Sequence, residues 1–348
     1  MGVGAAGAVS RRGAPHARVW LRVLWSGLAL WAASVLVTAV TANSNLVPTI
    51  VLLGSFVVPV AFVVWAYEHG RSGELTVPCL FRAFVVGGVL GLLGASLLET
   101  YLLHPSPWMY VGVGLIEEAV KLAALIYVAF RLRERTTRDG LVLGATVGFG
   151  FAAFESAGYA LNAMYTVHGL SLWPLVETEI LRGVLTPVGH GLWTAIVGGV
   201  LFASSRGRRR FHIGWAVVLA LLGVSLLHAL WDSMHGIAIF VALQLTGDGW
   251  EARGIDQGYL PRATPGQSDL ITLLDWGGLL AISVLGLSWL RALTARARRD
   301  EEEAAAAELD EEAEEQARIT EVPYATPGSL PPSPFGPEPP PPGRDSGG

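Results

Sequence analysis

Seven ionisable residues lie inside otherwise apolar stretches of this chain: Glu117, Glu118, Lys121, Glu155, His190, His228 and Asp232. Charged groups are costly in hydrocarbon, so those retained there mark a functional site or a pathway. Glu117 and Glu118 precede Lys121 by four and three residues. At those spacings both carboxylates can approach the ammonium from one helix face, which lowers the cost of burying all three. Lys121 is the single lysine among 24 basic residues, and the arginines sit at the flanks of the apolar runs or in the tails. That placement points to a specific task. His228 and Asp232 are also four residues apart, a spacing that suits two metal ligands or an imidazole with its orienting carboxylate. His235 could join that face but lies nearer the interface and is read as a bystander. Glu99 and Asp275 fall close to span ends, where hydration is cheap, and receive no role.

Long apolar helices must position these groups. Of the 348 residues, 52% are hydrophobic and 15% charged, with a mean hydropathy of +0.47, whereas soluble domains carry about 25% charged residues. A single soluble core is excluded. Eight runs reach the length of about 20 residues that a helix needs to cross hydrocarbon: 20–42, 46–67, 80–103, 108–130, 140–164, 181–203, 212–234 and 270–290. Apolar character after His235 continues to Leu245, which allows a longer seventh helix. The expected fold is all-α: a polytopic transmembrane bundle of about eight spans over residues 20–290, with a disordered C-terminal tail. Residues 1–19 form a cytoplasmic segment. Residues 291–348 form a cytoplasmic tail, acidic and then proline-rich, that cannot build a core; its acidic part suits a solvated helix continuing the last span. The first run exceeds the apolar core of a secretory signal and is read as a retained helix. Cys79 is the one cysteine, so an intramolecular disulfide and a CxxC motif are both excluded.

Arginines set the orientation, because cytoplasmic loops are enriched in them. Alternate flanks hold Arg11, Arg12, Arg18 and Arg22; Arg71 and Arg82; Arg131, Arg133, Arg135 and Arg138; Arg206, Arg208, Arg209 and Arg210; and Arg291, Arg296, Arg298 and Arg299. The intervening connections hold Arg182, Arg253 and Arg262. Both termini are therefore expected in the cytoplasm, with the chain in the cell membrane. Glu117 then lies about nine residues, or about 13 Å, below the outer end of its span. Glu155, His190 and His228 fall about six to nine residues below theirs on antiparallel neighbours. One polar site in the outer half of the bilayer follows. Gly148 and Gly150 are expected to allow close helix approach, Trp193 and Trp231 to pack beside the site, and Pro187 to kink the sixth helix before His190.

Glu117 and Glu118 with Lys121 resemble the EExxK motif of the PrsW family, Phe151 and Glu155 resemble its FxxxE motif, and His190 with His228 resemble its later intramembrane histidines. The resemblance extends over residues 45–290 or so and implies an intramembrane endopeptidase of the CAAX protease/PrsW superfamily. Members cut a membrane-spanning anti-sigma factor on its extracytoplasmic side, so a membrane protein of that kind is the implied partner, and no nucleic acid is expected. CAAX-related members carry EExxxR, and a histidine where this chain has Glu155, which disfavours prenyl-peptide cleavage.

Peptide hydrolysis needs an activated water, oxyanion stabilisation and an acid for the leaving amine. Glu117, Glu118, Lys121 and Glu155 are the expected catalytic groups, with Glu117 or Glu118 as general base and the other carboxylate positioned by Lys121. His190, His228 and either Asp232 or Glu155 are expected to bind a divalent metal, zinc above all, or the oxyanion. The chain has no HExxH, so the metal rests on convergence and on the resemblance, and a metal-free glutamate mechanism stays open. The competing class is a proton- or ion-coupled transporter, since Glu/His/Asp chains also relay protons. Against it, no inverted repeat is evident and the charges gather at one level.

Overall fold

The computed structural model describes residues 18–70, 75–132, 135–167, 169–246 and 263–320. Arg11, Arg12, Arg71, Arg133, Arg253, Arg262 and the tail from Pro323 lie outside the described residues. The helices are α1 (Val19–Thr41), α2 (Val47–Gly70), α3 (Val77–Val85), α4 (Leu92–Leu102), α5 (Met109–Ala129), α6 (Thr137–Met164), α7 (Leu172–Leu185), α8 (His190–Ser204), α9 (Trp215–Leu245) and α10 (Pro265–Thr320). A six-residue π-helical segment, Val86–Gly91, joins α3 to α4. A short hairpin, β1 (Tyr165–Thr166) with β2 (Gly169–Leu170), follows α6.

Among the described residues, seven helical stretches are long and apolar enough to cross a membrane. They correspond to seven of the eight expected spans. The remaining one is α5, 21 residues long and set apart only by Glu117, Glu118 and Lys121. Local signals place the ends. Thr76 caps α3 by accepting from the Cys79 amide at 3.4 Å, with Pro at the start of the helix where no amide hydrogen is needed. Thr136 caps α6 in the same way through Asp139, whose carboxylate accepts the Thr136 hydroxyl at 2.7 Å.

One boundary differs from expectation, and two helices take the longer extent that the sequence allows. The sixth span begins nine residues early, at Leu172, and is interrupted: Thr186–Val188 is a 3₁₀ turn and Gly189 leaves helical geometry before α8 starts at His190. Pro187 has no amide hydrogen to continue the ladder, which accounts for the break. Consequently Arg182 lies within α7 and not in a connection between helices. The seventh helix runs on to Leu245. The last helix continues, as the acidic composition allows, through the Glu/Ala-rich stretch, whose residues are strong helix formers, to Thr320. Among the described residues, those up to Ala297 belong to one unit and those from Arg298 to another.

Helix α6 is the hub of the first unit. Its apolar window is 72% buried, against 11% for α1. The cause is a row of glycines at four-residue intervals. A methyl group added at Gly140, Gly144 or Gly148 would overlap the backbone carbonyls of Gly198, Thr194 and His190 respectively, so α6 and α8 approach backbone to backbone. On the opposite side Gly150 meets the Phe84 carbonyl, and Gly87 of the π segment meets the backbone of Val147. Both expected close-approach glycines, Gly148 and Gly150, are thus in contact with neighbouring backbone. Around this seam a core of Leu122, Leu125, Val128, Leu143, Val147, Trp193, Ile196, Leu201, Phe202 and Val224 ties α5, α6, α8 and α9 together. These are the four helices that carry the ionisable residues.

Candidate active site

Lys121 is fully buried, and its ammonium has three hydrogens to place. All three find acceptors: Glu117 Oε2 at 2.9 Å, Glu118 Oε1 at 2.9 Å and His190 Nδ1 at 2.8 Å. Its Nζ also lies 4.0 Å from the centre of the buried Phe151 ring, so the aromatic position of the α6 motif forms a wall for the cation. An ammonium only donates, so His190 Nδ1 must accept. The other nitrogen, Nε2, then carries the hydrogen and donates it to Glu155 Oε2 at 3.0 Å.

His228 is held in a parallel manner from the far side. Its Nδ1 lies 3.1 Å from Glu118 Oε1, while its Nε2 faces Asp232 Oδ2 at 3.2 Å, one helical turn along α9. The indole of Trp193 stacks on the His228 ring at 4.6 Å and meets His190 edge-on at 5.3 Å, and Trp231 packs against Trp193 at 5.8 Å. Each histidine therefore has one nitrogen held by a glutamate, and the other, beside Lys121 in His190 and beside Asp232 in His228, also lies near Glu117. His190 Nδ1 and His228 Nε2 are each 3.8 Å from Glu117 Oε2. Glu117, His190 and His228 each offer a ligand atom within 4.8 Å of the other two, and this is the metal-type cluster found among the described residues.

A site of one carboxylate and two imidazoles fits a divalent transition ion by donor chemistry. Two further observations agree. The two histidines have the glutamate partners that metal-bound imidazoles have on their remote nitrogens, and Glu118 Oε2 is buried with no hydrogen-bond partner. His190 Nδ1 has a single lone pair, so an ion held there would replace Lys121 as its partner.

The expected residues are accordingly brought together but divided into layers. Glu117, His190 and His228 form the centre. Glu118 and Glu155 each bind a histidine, and Lys121 bridges both glutamates of α5. Asp232 stands at the edge, 28% exposed. A cavity of about 710 Å³ opens beside it, bordered by Glu99, His104, Tyr110, Glu117, Glu155, Tyr159 and Asp232. A smaller one of about 150 Å³, bordered by Glu155, Arg182, Gly189, His190, Trp231 and Asp232, adjoins the other side. Water and a substrate backbone can thus meet Glu117, Glu155 and Asp232 but not Glu118, which is 1% exposed. His235 pairs with Asp275 at 3.0 Å and takes no part.

Two side chains at the site are absent from the set derived by spacing. Arg182 forms an ion pair with Glu155, and its Nε donates to Ser156 Oγ at 2.8 Å. Its signal was a lone arginine eight residues before His190 in a stretch otherwise lacking basic groups. Glu99, given no role because it sits near a helix end, borders the larger cavity, and its Oε1 is buried without a partner.

A search of curated proteins and one of solved structures return no match to this chain. Residues 76–247 match the family described as PrsW family intramembrane metalloprotease. That stretch runs from the cap of α3 to just past α9 and contains the whole polar cluster. This multi-pass membrane protein, with an acidic and histidine-lined centre between its helices, is over those residues similar to the PrsW family of intramembrane metalloproteases.

Proposed function

We propose that this protease hydrolyses a peptide bond of a membrane-spanning protein at the Glu117/His190/His228 centre, in the outer half of the bilayer of the cell membrane, with zinc as the ion. What carries the proposal is the convergence of Glu117 Oε2, His190 Nδ1 and His228 Nε2 from α5, α8 and α9 beside a cavity. The orientation rests on the arginine bias: Arg135, Arg138 and Arg206–Arg210 flank one end of the helices, and both termini are assigned to that cytoplasmic side. A membrane-spanning anti-sigma factor is the substrate type suggested by the family resemblance.

A zinc ion held by Glu117, His190 and His228 would supply Lewis-acid polarisation of the scissile carbonyl and would lower the pKa of water. The protein's own groups supply the rest. Glu155 and Glu118 hold the two imidazoles in the tautomer and orientation that present Nδ1 of His190 and Nε2 of His228 to the centre. Lys121 offsets the charge of the α5 glutamates and keeps Glu117 turned inward. With Glu117 in the donor set and Glu155 held by His190 and Arg182, Asp232 is a carboxylate at the cavity edge that can take a proton from water and return it to the leaving amine. Trp193 and Phe151 exclude water from the buried side.

The test is made on purified protein with a membrane-protein substrate, before and after chelation and zinc replacement, with metal content measured in parallel. Glu117→Gln is expected to lower cleavage by about 10²–10⁴-fold and to impair metal retention. Glu118→Gln, which weakens the hold on His228 and on Lys121, is expected to cost about 10–100-fold. Undiminished cleavage by the Glu117→Gln/Glu118→Gln double variant would overturn the assignment. Full activity in protein shown to hold no stoichiometric ion would overturn the metal and leave the carboxylates.

A further inference from the structure

Arg182 is a guanidinium inside a stretch, Leu172–Ser204, that is long and apolar enough to cross a membrane, and a charge in hydrocarbon needs a partner. Its contacts all go to one patch of α6. The guanidinium pairs with Glu155 through Nη2 and donates through Nε to Ser156 Oγ at 2.8 Å, and its carbon lies 4.2 Å from the centre of the Tyr159 ring. Residues 155, 156 and 159 lie on neighbouring positions of one helix face, so the planar fork is fixed on two edges and one face. The glutamate oxygen it holds, Oε2, is the same oxygen that accepts from His190 Nε2 at 3.0 Å. A carboxylate oxygen has more than one acceptor site, so both donors are served at once. We infer that Arg182 is a positioning residue for the reaction: through Glu155 it fixes the ring orientation and tautomer of His190, and so sets the direction in which Nδ1 faces the centre. A lysine in its place reaches Glu155 but cannot also bind Ser156 and stack on Tyr159.

The inference rests on the proposed centre, and its test is a double-mutant cycle read in two ways: kcat for cleavage, and the zinc retained by purified protein against a graded chelator. Arg182→Gln and Glu155→Gln are each expected to lower kcat about 10–100-fold, with KM changed less than about threefold, and to weaken zinc retention by about tenfold. Because Arg182 acts through Glu155, the double variant should be no worse than the poorer single one. Arg182→Lys should recover part of the loss, and Ser156→Ala should reproduce a small part of it. Effects that multiply in the double variant, or an Arg182→Gln protein with wild-type kcat and zinc retention, would overturn the inference. Should Arg182→Gln fail to accumulate in membranes, Arg182→Lys and Ser156→Ala complete the cycle with Glu155→Gln. Wild-type protein that retains no zinc would defeat the metal centre itself, and the kcat cycle would then decide on Arg182 alone.

Discussion

Gly148 lies where α6 crosses α8, directly against the first residue of α8. A methyl group added there would fall 2.8 Å from the carbonyl carbon of His190 and 2.8 Å from Thr194 Oγ1, and nearer still to the His190 carbonyl oxygen. The His190 obstacle cannot swing away, since both of its atoms are backbone. Carbon atoms pack at about 3.5–4.0 Å, so the two helices must part by about 1 Å. Glu155 belongs to α6 and His190 to α8, and their 3.0 Å hydrogen bond spans this crossing. Parting by that amount stretches it toward about 4 Å, beyond hydrogen-bonding range. Gly148→Ala is therefore expected to lose about 1–3 kcal/mol through overpacking, less about 0.5–1 kcal/mol regained from alanine's helix preference. The effect on turnover is larger, because a displacement of about 1 Å at a catalytic group costs about 10²-fold. Both are measured on purified protein, as thermal unfolding in detergent and as kcat for cleavage of a membrane-protein substrate. Gly158→Ala, on the same helix with nothing within 4 Å of the added methyl, is the control and should keep kcat. A Gly148→Ala protein with wild-type unfolding and kcat within about twofold would refute the link between this crossing and the site.

Lys121→Met leaves two buried carboxylates without their shared cation and is expected to destabilise the protein by about 3–5 kcal/mol, with partial recovery when Glu118→Gln is added; thermal unfolding of the single and double variants checks both signs. Trp31→Phe removes the donor that reaches Glu179 Oε2 at 2.7 Å, and Glu179 Oε1 is already buried without a partner. A loss of about 1–3 kcal/mol is expected, and an unchanged melting temperature would show that water satisfies this carboxylate. Reporters fused after Arg135 and Arg209 should read cytoplasmic, and one near Val167 in the β1–β2 hairpin extracytoplasmic; a cytoplasmic signal from the hairpin would place the site in the inner half of the bilayer instead.

Much of this protein is legible in its residues. Apolar runs of membrane-crossing length give the spans, because hydrocarbon leaves the backbone no partner except its own helix. Spacing within one helix assigns a face, so Glu117, Glu118 and Lys121 on α5 meet as their separations require, as do His228 and Asp232 on α9. Counting residues from the span ends also brings Glu155 and His190 to the level of the α5 pair, and they are indeed in contact with that cluster. Spacing does not reveal which carboxylate serves which histidine. That pairing depends on how far each helix is rotated and advanced against its neighbour, and the glycine contacts between α6 and α8 and between Gly114 and α9 set both. Tertiary structure therefore decided that Glu118 binds His228 while Glu155 binds His190, and that Glu117 alone of the α5 pair faces the centre and the cavity. It also carried Arg182 from an expected loop to the side of Glu155, because the break at Pro187 lets α7 begin at Leu172 and turn its last residues onto α6. Local sequence fixes what a helix presents along its own length; contacts between residues far apart in the chain fix what it presents it to.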